Sequence, residues 1–117
     1  MIVKPVLYIV VPCYNEEEVL PVTAPMFKEK LTVLATAGLV SGDSKVLFVN
    51  DGSKDRTWEV LTDLCNSDSM FCAIKLSRNR GHQNALLAGL MEAKNLADIT
   101  ISMLWTRWSK PTMMDVK

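Results

Sequence analysis

Apolar residues in this 117-residue chain gather into four short, nearly continuous runs. They are Val6-Leu7-Tyr8-Ile9-Val10-Val11, Val46-Leu47-Phe48-Val49, Phe71 to Leu76, and Ile99 to Met103. Runs of this length, rich in β-branched residues and without polar alternation, predict strands buried on both faces, as in a parallel sheet. Between them the apolar period lengthens to that of a helix. Leu20, Ala24, Phe27, Leu31 and Leu34 form one stripe, and Trp58, Leu61 and Leu64 a second. Leu86, Leu90 and Ala93 mark a third helix. Pro12 is expected to stop the first strand, and Asn15 to cap a helix whose first turn is Glu16-Glu17-Glu18, where acidic residues complement the helix dipole. Those glutamates also read simply as a solvated turn. Pro21 and Pro25 should bend or delay that helix, and Gly38 ends it. Ser41 to Ser44 is a loop. The second strand covers about residues 45–50 and the second helix about residues 55–66. The resulting order is β-α-β-α-β-α-β. Alternating elements with short connections predict a three-layer α/β/α fold with a mostly parallel sheet and right-handed crossovers.

Composition narrows the classes. The length suits one small domain, and an apolar content of 49% is enough for a core. Thirteen basic and 13 acidic residues cancel, so nothing global argues for a nucleic-acid partner or an anionic membrane surface. Cys13, Cys65 and Cys72 have no metal-ligand spacing and read as small buried residues of a reducing, cytoplasmic compartment. The apolar run at residues 6–11 is too short to span a bilayer. It is followed by Pro-Cys-Tyr-Asn and three glutamates rather than a small-residue cleavage site.

Candidate chemistry lies where the strands end. Val46 to Val49 breaks off into Asn50-Asp51-Gly52-Ser53-Lys54-Asp55. Asp-Gly is a turn, and Ser53 or Asp55 can cap the next helix. This puts the Asp51 carboxylate at the carboxyl end of a strand, where open α/β sheets bind ligands. It can meet a ribose diol or a base N–H there, or it can merely shape the turn. The loop after the third strand, Ser77-Arg78-Asn79-Arg80-Gly81-His82-Gln83-Asn84, sets cations and a permissive glycine beside a helix N-terminus. That is a plausible anion site, or else a solvated turn with arginines in surface pairs. His82 alone is weak evidence for either. Together with Pro12-Cys13-Tyr14-Asn15-Glu16, these loops outline a nucleotide site. No Gly-x-Gly-x-x-Gly follows the first strand and no P-loop lysine motif occurs, which counts against a classical dinucleotide domain and an NTPase.

Three ordered stretches, Val11 to Glu17, Val49 to Thr57 and Leu76 to Ala85, resemble family 2 glycosyltransferases. The likeness is to the polyisoprenyl-phosphate branch, similar to dolichol-phosphate mannosyltransferases and bactoprenol glucosyltransferases, and it covers roughly residues 6–103. It implies the N-terminal, nucleotide-binding half of a GT-A (Rossmann-like) domain and an inverting transfer from a UDP- or GDP-linked sugar. The resemblance places Pro12, Tyr14, Asn15, Glu16, Asp51, Gly52, Ser53, Arg78, Gly81 and His82 around the nucleotide sugar. Asp51 would contact the base or ribose, and Arg78 would lie near the diphosphate. In the complete enzyme Mg²⁺ or Mn²⁺ would stabilise the leaving group, a lipid phosphate would be the acceptor, and the protein would be membrane-associated facing the cytoplasm.

After the fourth strand such enzymes carry an Asp-x-Asp or similar motif. Here the chain reads Met103-Leu104-Trp105-Thr106-Arg107-Trp108-Ser109-Lys110, with no carboxylate between Asp98 and Asp115. No metal is therefore expected on this chain, and no catalytic residue is assigned. Residues 1–103 read as a partial transferase domain and residues 104–117 as an irregular tail from a truncated or frame-shifted longer sequence. Met and Trp have single codons, and the shifted frame restores Asp across Trp105–Thr106 and Asp-Gly across Met113–Asp115. Two other functions stay open: a nucleotide-binding module without turnover, and an inactive half-domain that self-associates through an exposed sheet edge. A flavodoxin-like signalling domain would want an acidic cluster at the strand ends and a lysine at a late strand, and neither is evident.

Overall fold

The computed structural model describes residues 3–103. The element order is β1 (Leu7–Cys13), α1 (Leu20–Thr36), β2 (Lys45–Asn50), α2 (Thr57–Ser67), β3 (Phe71–Lys75), α3 (His82–Ala93) and β4 (Ile99–Ser102). The four strands form one sheet in the order β3-β2-β1-β4, with every pairing parallel. Expected and observed strands agree to within about a residue at most ends. The tail expected at residues 104–117 lies outside the described residues.

Two apolar layers flank the sheet, because successive residues of β1 and β2 point to opposite faces. On one face Leu7, Ile9 and Val11 of β1 and Val46 and Phe48 of β2 pack with Leu20, Ala24, Phe27 and Leu31 of α1 and Leu61 of α2. Phe48 is fully buried, with the Phe27 and Phe71 rings 6.4 and 5.7 Å away. On the other face Tyr8, Val10, Leu47 and Val49 meet Ala85 and Ala93 of α3. This is the three-layer arrangement expected from the run pattern. Leu34, Leu86 and Leu90 are only half-buried, and α3 makes its closest approach through small residues instead. A Cβ on Gly89 would stand 2.5 Å from Val10 Cγ1 and 2.7 Å from Val49 Cγ2.

Two local expectations are corrected. β1 does not stop at Pro12 but runs through it to Cys13, with Pro12 in register with Val49. The Cys13 carbonyl accepts from Asp51 N–H on the β2 side, whereas the Val10 carbonyl accepts from Met103 N–H on the β4 side. Pro12 is in phase with Val10, so its missing N–H would point past Ser102, the last paired residue of β4, and no ladder bond is lost. Second, Asn15 caps no helix. It sits at φ 52°, Glu16 to Val19 form a turn, and α1 begins at Leu20 with Pro21 in its first turn. Gly38, at φ +80°, follows the end of α1 as expected.

At Gly89 a β-branched side chain has no room against two buried valines. Gly89→Val is therefore expected to destabilise the fold by about 2 kcal/mol, the usual cost of overpacking, read as a lowered midpoint in urea unfolding with an unchanged slope.

Candidate functional site

All four strands run the same way, so β1, β2 and β3 deliver their following loops to one end of the sheet. Those loops are held together by a hydrogen-bond network centred on residues 51–57. Asn15 N–H donates to Ser53 Oγ at 2.9 Å, and Lys54 N–H returns a bond to Asn15 Oδ1 at 2.8 Å. The left-handed backbone at Asn15 turns its N–H and its side chain toward the same neighbouring loop. Glu16 N–H donates to Thr57 Oγ1 at 2.8 Å, and Glu17 N–H to Asp55 Oδ2 at 3.3 Å. Arg56 N–H donates to Glu17 Oε1 at 3.3 Å.

Asp51 ties in the third loop. It is 3% exposed, and its carboxylate is not free. Oδ1 accepts from Arg80 N–H at 2.7 Å, and Oδ2 from Asn79 Nδ2 at 3.3 Å. Asn79 Nδ2 also reaches the Asp51 carbonyl at 3.2 Å. The latch brings the loop down onto Gly52, which sits at φ +65°; a Cβ there would run into Asn79 N and lie 2.7 Å from Arg78 Cα. Only glycine fits this crossing, for both reasons.

These connections enclose a shallow cavity of about 210 Å³ at the carboxyl ends of β1 and β2. Of the residues singled out in the sequence, Pro12, Tyr14, Glu16, Asp51, Gly81 and His82 line it. Asn15, Gly52, Ser53 and Arg78 surround it without lining it: the first three build the loop crossings, and the exposed Arg78 lies on the rim. Cys13 and Asn79 complete the wall and were not singled out as site residues. Asn79 had a signal in its place beside Gly81 in a cationic turn; Cys13 had none beyond its position after Pro12. Gly81, at φ 92°, leads into α3, whose first amides have no acceptor within the helix. Arg80 and His82 stand exposed beside it.

Burial, then the charge of Glu16 and a hydrogen bond with it, pushes the Cys13 thiol well above its ordinary value, so it faces the cavity protonated. Burial also pushes the Asp55 carboxyl up. Hydrogen bonds from the Thr57 hydroxyl, the Thr57 and Glu17 amides and its own amide outweigh that and hold it below the usual carboxylate value. Among the described residues no group of three or more His, Cys, Asp and Glu side chains is placed to hold a metal ion. The described residues therefore do not fit a divalent-cation site. No helix among them is long and apolar enough to cross a membrane.

Comparison with known proteins adds the following. The family model described as glycosyl transferase family 2 matches residues 8–97. The glycosyltransferase YkoT of Bacillus subtilis, itself uncharacterized, is 49% identical over 100 residues, which cover 86% of this chain and 30% of that protein. A prophage bactoprenol glucosyl transferase homolog of Escherichia coli is 38% identical over 95 residues, covering 81% of this chain and 29% of the homolog. Among solved structures, the mannosyltransferase PcManGT of Pyrobaculum calidifontis, in complex with GDP-Man and Mn²⁺, superposes with a TM-score of 0.54 at 24% identity. It covers 77% of this chain and 25% of that one. The chain thus spans about 30% of the length of the curated relatives it matches.

The Asp55 network has a pH signature. A carboxylate held below its unfolded value contributes stability that is fully present above the unfolded value and is lost as pH falls through the folded one. The thermal unfolding midpoint of the wild-type chain is expected to fall as pH drops through and below the usual carboxylate range. Asp55→Asn, compared at each pH, should remove part of that acid sensitivity and leave the part carried by Asp68, which is likewise held low, first by its hydrogen bond to Lys28.

Proposed function

The chain belongs to glycosyl transferase family 2, and we propose that residues 6–103 are the nucleotide-sugar-binding half of a transferase that passes a sugar from a UDP- or GDP-linked donor to a polyisoprenyl phosphate. The observation that carries this reading is the cavity itself. Three loops meet at the carboxyl ends of parallel strands, with a buried carboxylate on one wall and a helix N-terminus on the other. In this reading Pro12, Tyr14 and Glu16 flank the base and ribose. Asp51 offers its remaining lone pairs to a donor on either. Asn15, Gly52 and Ser53 shape the pocket rather than touch the ligand.

The diphosphate is assigned to the rim formed by Arg78, Gly81, His82 and the first amides of α3. Displacement at the anomeric carbon builds negative charge on the departing diphosphate, and fixed N–H donors and cations there stabilise it. A divalent ion would add to that stabilisation in a full-length transferase. The described residues supply no site for one, so no step of this chain is derived through it. The acceptor follows the name of the bactoprenol glucosyl transferase homolog, and in this reading an already ionised phosphate oxygen of a polyisoprenyl phosphate is the nucleophile. Such a site would face the cytoplasm, where nucleotide sugars are made.

Titration calorimetry of the chain with UDP and with GDP, each with and without Mn²⁺, tests this. Saturable binding is expected, insensitive to the metal and weakened about tenfold or more by Asp51→Ala, since a buried carboxylate with charge-assisted bonds is removed. A folded chain that binds neither nucleotide overturns the reading.

We also infer self-association at β4. Among the described residues this strand pairs on one side only, and Ile99 and Ile101 are each 43% exposed. An apolar groove of about 680 Å³, lined by Met26, Val33, Leu34, Ile101 and Met103, lies beside it. Light scattering should show mass rising with concentration, and Ile101→Lys should suppress the rise; a concentration-independent monomer would sink the idea.

A further inference from the structure

We propose that Thr57, which does not line the cavity, is a positioning residue for the nucleotide pocket and acts through the Glu16 backbone. The inference rests on the nucleotide reading above. Thr57 is fully buried at the start of α2. Its hydroxyl lies 2.5 Å from Asp55 Oδ1 and 2.8 Å from Glu16 N. Asp55 is ionised and can only accept, so the hydroxyl proton must go to it. That leaves the hydroxyl lone pairs for the Glu16 N–H. Thr57 N–H donates to the same Asp55 Oδ1 at 2.9 Å, which fixes the carboxylate and, with it, the direction of the hydroxyl.

One buried oxygen therefore helps to place Glu16 by holding its amide, and Glu16 lines the cavity with its side chain hydrogen-bonded to Cys13. The flanking residues are held from the same stretch, Asn15 by Ser53 and Glu17 by Asp55. The Thr57 methyl group is not needed for this role, and the hydroxyl is. Valine keeps the shape but offers neither acceptor nor donor, so the Glu16 N–H loses this acceptor and Asp55 this donor. Serine restores both.

The test is UDP and GDP affinity by titration calorimetry for wild type, Thr57→Ser and Thr57→Val, with amide hydrogen exchange at Glu16 followed in each. The expected result is an affinity loss of about tenfold in Thr57→Val, rescue to within about threefold by Thr57→Ser, and faster Glu16 exchange in the valine variant alone. Equal affinity in Thr57→Val and wild type overturns the proposal, as does failure of serine to rescue. If Thr57→Val does not fold, Asp55→Asn, a substitution outside the core, replaces it. It weakens the hold on the same hydroxyl and should cost part of the affinity. A wild-type chain that binds neither nucleotide removes the functional role together with the nucleotide reading. Slowed Glu16 exchange that depends on the hydroxyl would then mark Thr57 as a purely structural tie. Binding by wild type with no response to Thr57 leaves the nucleotide reading standing and rejects this one.

Discussion

Parallel pairing is the constraint from which the rest follows. A strand can join a neighbour in the same direction only if the chain first returns to the starting edge, and here each return is a helix laid on a sheet face. The loops after β1, β2 and β3 consequently collect at one end without any sequence instruction to meet. What the sequence must add is a means of holding three loops that would otherwise splay. Residues 51–57 do this with short polar side chains, none of which reaches farther than its adjacent loop. The site is thus a property of the sheet's direction first and of particular residues second.

Asp51 shows how one carboxylate answers two requirements. Burying it unpaired would be expensive, and a turn alone would not need it. Its two oxygens accept from a backbone amide and a side-chain amide of the third loop, which makes the charge tolerable and draws that loop onto Gly52. The group that closes the cavity is then also a wall of it. A ligand that engages Asp51 meets a carboxylate already oriented, with little left to order on binding.

The strands were legible because burial on both faces leaves an unambiguous apolar run, and the layers followed from alternation along β1 and β2. Pro12 was misread because a proline's effect depends on which neighbour its missing N–H would face, and that is fixed by where β4 ends, some 90 residues later. Asn15 was misread as a cap because its partner, Lys54, lies 39 residues away, and no local rule weighs such a bond against capping. Most of the cavity lining was visible in the three motifs. The exceptions, Cys13 and Asn79, belong to it through side-chain direction and through a latch between residues 28 apart, neither of which spacing encodes. The contrast between α3's leucine marks and its true contact face has the same origin. Close helix–sheet approach selects small residues, here Ala85, Gly89 and Ala93, whose helical spacing is not marked by apolar bulk.

The placement of β4 next to β1 has a consequence for the time course of folding. Val6 and Asp98 share backbone and side-chain bonds across 92 residues of chain. β2 and β3, by contrast, reach their partners after one crossover each. During synthesis β1 can dock on β2 early, yet its other edge waits for residues near 100 to be made. At ordinary rates of chain growth that wait is roughly 5–20 s. Throughout it, the nascent polypeptide presents the free flank of its innermost strand. A chaperone that shields extended apolar backbone would be most useful in that interval, before β4 arrives.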